Sequence, residues 1–241
     1  MGAFENSLPS AISTILSLSS TSDDGTYKLG DIIAIMVTFT KAVTVTGTPQ
    51  LTLETGSADA LANYFSGSGS DTLIFNYTVA AGDTSSDLDY ASTTALVLNS
   101  GTIMDANGSS ADLTLANKGA ANSLGANKSF IIDGVLPTVS YVTSTSVDDS
   151  YEMDDQLTIN VIFTEVVTVT GTPQLTLETG TTDAVVNYTS GSGSNTLTFA
   201  YTVAATDNAV DLDYTSTSAL AINDATIIDA AGNDTLSVSY T

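Results

Sequence analysis

Apolar and polar positions alternate along most of the chain. Ile33, Ile35, Val37 and Phe39 are interleaved with smaller or polar residues, and Leu157, Ile159, Val161 and Phe163 repeat the pattern. Period-two alternation of β-branched and aromatic side chains predicts half-buried antiparallel strands. First strands are expected at residues 12–18 and 139–143. Others follow at Leu51 and Leu53, at 60–64, and through Leu73, Phe75, Tyr77 and Val79. Ser66-Gly67-Ser68-Gly69-Ser70 lies between two alternating runs and reads as a hairpin turn. Leu96, Leu98 and Ile103, a strand at 113–115, and Phe130-Ile131-Ile132 complete the series. Helical periodicity is nowhere evident. Many short strands punctuated by turns predict an all-β fold of antiparallel β-sandwiches.

The pattern occurs twice. Residues 43–56, Val-Thr-Val-Thr-Gly-Thr-Pro-Gln-Leu-Thr-Leu-Glu-Thr-Gly, recur letter for letter at 167–180, an offset of 124. Ser66–Ser70 returns at Ser190–Ser194, and Asp87-Leu88-Asp89-Tyr90 at Asp211-Leu212-Asp213-Tyr214. Internal repetition of this kind marks tandem copies of one unit. Two domains are expected, 1–134 with a short polar lead and 135–241, joined through Asp133-Gly134-Val135-Leu136-Pro137. Leu8-Pro9-Ser10 and Leu136-Pro137-Thr138 mark the entry into each copy. The counterpart of Ser129–Asp133 falls beyond Thr241, so copy two is expected to lack its last strand. The simpler and favoured reading is that this short strand is dispensable or lies outside this sequence. The sharper reading is an open sheet edge filled by a strand from a neighbouring chain.

Charge narrows the partners. Four Lys or Arg against 27 Asp or Glu give a net charge of -23. Such a surface repels nucleic acid and anionic membranes and attracts cations. No Cys and no His are present, which removes disulfides, thiolate chemistry and imidazole acid–base catalysis. Residues 1–20 have neither the basic nor the apolar region of a signal peptide, and no run is long enough to cross a bilayer. The sequence is thus expected to be either a piece of a larger secreted protein or a protein that never crosses a membrane.

Gly-Thr-Pro-Gln-Leu-Thr-Leu-Glu-Thr-Gly, Asp-Leu-Asp-Tyr, the Asp-Ala-(Asn/Ala)-Gly turns at 105–108 and 229–232, and Ile-Asp-Gly-x-x-Pro-Thr together resemble the tandem bacterial immunoglobulin-like (Ig-like) repeats of large surface adhesins. The likeness covers nearly the whole chain, twice. It implies Ig-like sandwiches of seven or eight strands, rigidified by calcium, acting as extracellular spacers or adhesive segments. Neighbouring Ig-like domains or copies of the chain itself are the implied partners, and a cell-surface or glycan target is open. Similar modules decorate virions, which is the alternative reading, alongside a self-assembling subunit completed by strand exchange.

In such a sandwich, Asp23, Asp24, Asp31, Asp83, Asp87 and Asp89 would gather with Asp133 at the junction with copy two. Asp148, Asp149, Asp155, Asp207, Asp211 and Asp213 would occupy the far end. Calcium takes six to eight oxygen ligands, and carboxylates converging without nearby Lys or Arg repel one another unless a cation neutralises them. Calcium is therefore the expected structural cofactor, against the simpler account that Asp favours turns and solubilises surfaces. Tyr90 and Tyr214 are expected as tyrosine corners, with hydroxyls bonded to nearby backbone. The Thr44-Val45-Thr46 pairs read as solvent-facing strand residues. Glu54 and Glu178 stand one per copy with no partner acid, and there is no Trp, nucleophile elbow or phosphate loop. No catalytic residue is expected, and none for a cofactor other than calcium.

Overall fold

The computed structural model describes residues 11–235. The chain divides into two units, Met1–Val135 and Leu136–Thr241. Leu8, Pro9 and Ser10 of the first entry point lie outside the described residues.

Unit 1 contains β1 (Ile15–Ser20), β2 (Gly25–Lys28), β3 (Ile32–Thr46), β4 (Gln50–Leu53), β5 (Ala60–Ser66) and β6 (Ser70–Thr78). These are followed by β7 (Thr84–Ser85), β8 (Leu96–Val97), β9 (Thr102–Asp105), the one-turn helix α1 (Leu124–Asn127) and β10 (Phe130–Asp133). One sheet runs β1-β3-β6-β5-β4-β8, with β9 added on β3. The fifteen-residue β3 organises it. Ile32 to Thr38 pair with β6, the register then shifts, and Val43 to Thr46 pair with β9. That shift bends one strand across two pairings and curls the sheet on itself. The alternating set Ile33, Ile35, Val37 and Phe39 thereby shares one buried core with Leu51 and Leu53 and with its β6 neighbours Phe75 and Tyr77. The result is sandwich-like and antiparallel.

A second, three-stranded sheet, β2-β10-β7, closes unit 1. β10 runs parallel to β2, pairing Phe130 with Gly25 and Asp133 with Lys28, and antiparallel to β7. Its alternation puts Phe130 and Ile132 inside and leaves Ile131 exposed.

Unit 2 contains β11 (Val139–Ser144), β12 (Gln156–Thr170), β13 (Gln174–Glu178), β14 (Ala184–Ser190) and β15 (Ser194–Thr202). The short strands β16 (Asp213–Tyr214), β17 (Leu220–Ala221) and β18 (Thr226–Ile228) complete it. Its sheet runs β11-β12-β15-β14-β13-β16, with β17 on β13 and β18 on β12. The bulge between Ile15 and Ser17 returns between Val139 and Tyr141, and the β3 shift returns between Ile162 and Val167. Gly67 and Gly191 repeat too. Both have positive φ, and an added Cβ would meet the Thr72 or Thr196 carbonyl oxygen at 2.2 or 2.0 Å, so only glycine makes this hairpin.

Three expectations need correction. β1 begins at Ile15 rather than residue 12. Residues 113–115 form no strand. This stretch is tied down by isolated bridges, Thr14 with Asp112 and Met104 with Ser110, while Leu115 is buried. The helix α1 was not foreseen, because four residues are too few to show a 3.6-residue period. It is set by Ser123, whose hydroxyl accepts from the Ala126 amide at 3.1 Å in an N-cap.

Candidate functional site

The acids named from the sequence are mostly spent on their own turns. Asp31 Oδ2 accepts from the Lys28 amide at 3.0 Å. Asp24 Oδ1 accepts from the Ser129 amide at 3.0 Å and lies 3.3 Å from Lys128 Nζ. That backbone bond first, and Lys128 second, hold the Asp24 carboxyl below the usual carboxylate range. Asp83 is buried, and its Oδ2 accepts from the Tyr77 hydroxyl at 2.7 Å and the Ala80 amide at 2.9 Å. Asp89 is buried as well, with Oδ1 on the Tyr90 amide and Oδ2 on the Gly119 amide. Asp133 Oδ1 accepts from the Val135 amide at 3.3 Å. Asp23 and Asp87 are exposed.

Unit 1 brings some of these acids together and keeps others apart. The Asp133–Lys28 and Asp133–Thr84 pairings carry Asp31, Asp83 and Asp133 to one end of the three-stranded sheet. Asp23 and Asp24 precede β2 at its other end, roughly 10 Å away at the usual strand rise. Asp87 and Asp89 face α1, where a Cβ on Gly125 would lie 3.5 and 3.2 Å from their Oδ2 atoms. Unit 2 repeats the turn chemistry in a more open form. Asp155 Oδ2 accepts from the Glu152 amide at 2.7 Å, and Asp207 Oδ2 from the Tyr201 hydroxyl and Ala204 amide. Asp149 and Asp213 bond the amides that follow them, while Asp148 and Asp211 are exposed. Within either unit by itself, no three of these carboxylates converge among the described residues. Neither unit alone therefore presents a preassembled calcium cage, which needs six or more oxygens.

The tyrosines depart from the expected corner. The Tyr90 hydroxyl donates to the Ala116 carbonyl at 2.8 Å, 26 residues further on. Tyr90 is fully buried, whereas Tyr214 is 39% exposed, and the stretch answering to Ala116 lies outside the described residues. The polar pair that sequence reading missed is Tyr77–Asp83 with its copy Tyr201–Asp207. Its signal was present as Tyr and Asp six residues apart in both copies.

The Asp105 and Asp229 turns differ at two side chains, Asn107 against Ala231 and Ser109 against Asn233. Asp105 Oδ1 accepts from the Asn107 and Ser109 amides, but its buried Oδ2 has no hydrogen-bond partner. In unit 2 the position of Ser109 is Asn233, whose Nδ2 donates to Asp229 Oδ2 at 2.7 Å. Two surface features remain. A shallow concavity of about 540 Å³ lies over β14 and β15, with the carboxylate side chains Asp183 and Asp207 in its lining. A cleft of about 130 Å³ in unit 2 is lined by Val142, Ile159, Leu177, Leu212 and Tyr214. Glu54, weighed as a hydrolytic acid, is engaged by Lys118 at 3.0 Å. No family model matches this chain, and a search of curated proteins finds no match.

Two predictions follow from the turns. Burial first, and the adjacent carboxylate second, push the Tyr77 and Tyr201 hydroxyls above their ordinary value of 10, and burial with the Asp89 charge pushes Tyr90 up to about 12. A raised folded value means the unfolded chain loses the proton first. The contribution is therefore complete below pH 10 and drains as pH climbs through the folded value. Thermal melts should fall above pH 10, and Tyr77→Phe should flatten that limb while costing about 1.5–3 kcal/mol near neutrality. In the other direction, Ser109→Asn should supply the missing donor to Asp105 and raise the midpoint of unit 1. The gain expected for a bond to a charged acceptor is about 1–2 kcal/mol, read by chemical denaturation.

Proposed function

We propose that this chain is a non-enzymatic structural module, two Ig-like repeats serving as an extender or adhesive segment of an extracellular bacterial surface protein. The observation that carries the reading is duplication in detail. The registers, bulges, glycine hairpin and Tyr–Asp turn recur in both units, so a mechanical unit has been copied whole. Binding tips and active sites diverge from their copies, whereas spacers need only the fold. The lack of His and Cys removes imidazole- and thiolate-based pairs, and the buried acids Asp83 and Asp89 accept hydrogen bonds from their own turns, which supports a structural role for them.

Calcium enters this reading through charge. With 27 acids and four bases, repulsion among carboxylates opposes folding, and a divalent cation that binds only the folded chain offsets it. The melting temperature should rise as calcium is titrated against a chelator, and rise further than with magnesium at the same concentration. Identical curves for the two ions would reduce the acids to surface charge and remove calcium from the account. Binding of the chain to immobilised bacterial or host glycans would turn the role from spacer to adhesive tip.

A further inference from the structure

We propose that unit 2 is an acceptor for a β-strand, and that the strand it takes is the segment preceding Leu8-Pro9 of a second copy of this chain. In unit 1 the corresponding slot is filled from within. β10 lies between β2 and β7, and Phe130 and Ile132 cover a floor made of Leu18, Ile35, Leu53, Leu88 and Tyr90, all fully buried. Their equivalents in unit 2, Val142, Ile159, Leu177, Leu212 and Tyr214, are five of the eight residues that line the 130 Å³ cleft. Its volume is close to that of a cavity of about 150 Å³ that accepts a benzene ring.

The segments beside the cleft carry no strand pairing either. Residues 149–152 and 208–209, the equivalents of β2 and β7, are not in strands, and no counterpart of β10 is present among the described residues of unit 2. Tyr27 packs edge-on against Phe130 at 5.4 Å. Tyr151 keeps the same hydroxyl bond as Tyr27, to a carbonyl four residues earlier, without a ring partner among the described residues. Val210, two residues before Leu212, is fully exposed.

The sequence around β10 identifies the occupant. Ile132-Asp133-Gly134 is followed, after one residue, by Leu136-Pro137-Thr138. Phe4-Glu5-Asn6 is followed, after one residue, by Leu8-Pro9-Ser10. Both read apolar, acid, turn-former, then Leu-Pro and a hydroxyl residue at the same spacing. β10 completes the unit that lies before its Leu-Pro. By the same rule, residues 1–7 would serve as the strand of a unit other than unit 1, whose slot is already taken by β10. An open slot of matching shape is unit 2 of another copy. Added in this way, a strand gains main-chain hydrogen bonds along both edges while Phe4 enters the cleft. The contact is heterologous, so it propagates head to tail into a filament. It requires neither calcium nor a cell-surface setting.

The absence of cysteine makes the register testable. Ile131 pairs with Thr26 in unit 1, and the corresponding positions are Ala3 and Ser150. A chain carrying Ala3→Cys and Ser150→Cys should form a disulfide ladder of dimers and higher multimers on a non-reducing gel, and each single variant at most dimers. Phe4→Asp in the double-cysteine chain should cut the cross-linked fraction at least about tenfold. As a check independent of assembly, a synthetic peptide of residues 1–10 should bind the chain lacking residues 1–7, and the Phe4→Asp peptide should not. Disulfides confined within single chains, or a chain that stays monomeric with no peptide binding, would overturn the proposal. That last result is expected if residues 236–241 cover the cleft in place.

Discussion

Phe130 and Ile132 decide whether a unit of this protein is closed. In unit 1, Leu18, Leu88 and Tyr90 are fully buried in the core that Phe130 and Ile132 complete from the strand between β2 and β7. An apolar floor left open to water forfeits about 25 cal/mol per Å² of apolar area, and the unpaired strand edges beside it invite another chain. Unit 1 supplies its own strand from the same segment that leads into the next Leu-Pro. Among the described residues, unit 2 has no equivalent, and Leu212 and Tyr214 are left partly exposed. Among the described residues, the two copies therefore share a fold and differ in closure.

Charge is managed locally within each unit. Carboxylates recur at the same turns because each accepts one or two backbone amides that would otherwise be unpaired, as Asp31, Asp83 and Asp105 do. In Tyr77–Asp83 the carboxylate is buried beside a hydroxyl that donates to it, and this offsets the cost of removing a charge from water. The net charge of -23 is then the sum of many small turn solutions. Its collective consequence, an appetite for cations, is a property of the whole surface.

Much of this was legible in the sequence. The alternation of Ile33, Ile35, Val37 and Phe39 states which side of β3 is buried, and the 14-residue identity states that the unit occurs twice. The glycine hairpin was legible because only glycine adopts the required φ without meeting the Thr72 carbonyl. The helix α1 was not, since one turn set by Ser123 is too short for a periodic signal. Nor was the pairing of Asp83 with Tyr77, because a buried carboxylate and a solvated one are the same letter. The acidic residues read as one cluster lie at both ends of the three-stranded sheet in unit 1, a distinction made by the parallel register of β10 on β2. That register depends on a chain reversal of a hundred residues, which no local pattern contains.

Difference in closure is the central claim, and amide hydrogen exchange on dilute protein tests it most directly. The account predicts strong protection at Gly25–Lys28 and Thr84–Tyr90 of unit 1. Fast exchange is predicted at the corresponding residues 149–152 and 208–214 of unit 2, slowing as the protein is concentrated. Equal protection of the two stretches in dilute solution would mean that unit 2 is already sealed, and would contradict the account.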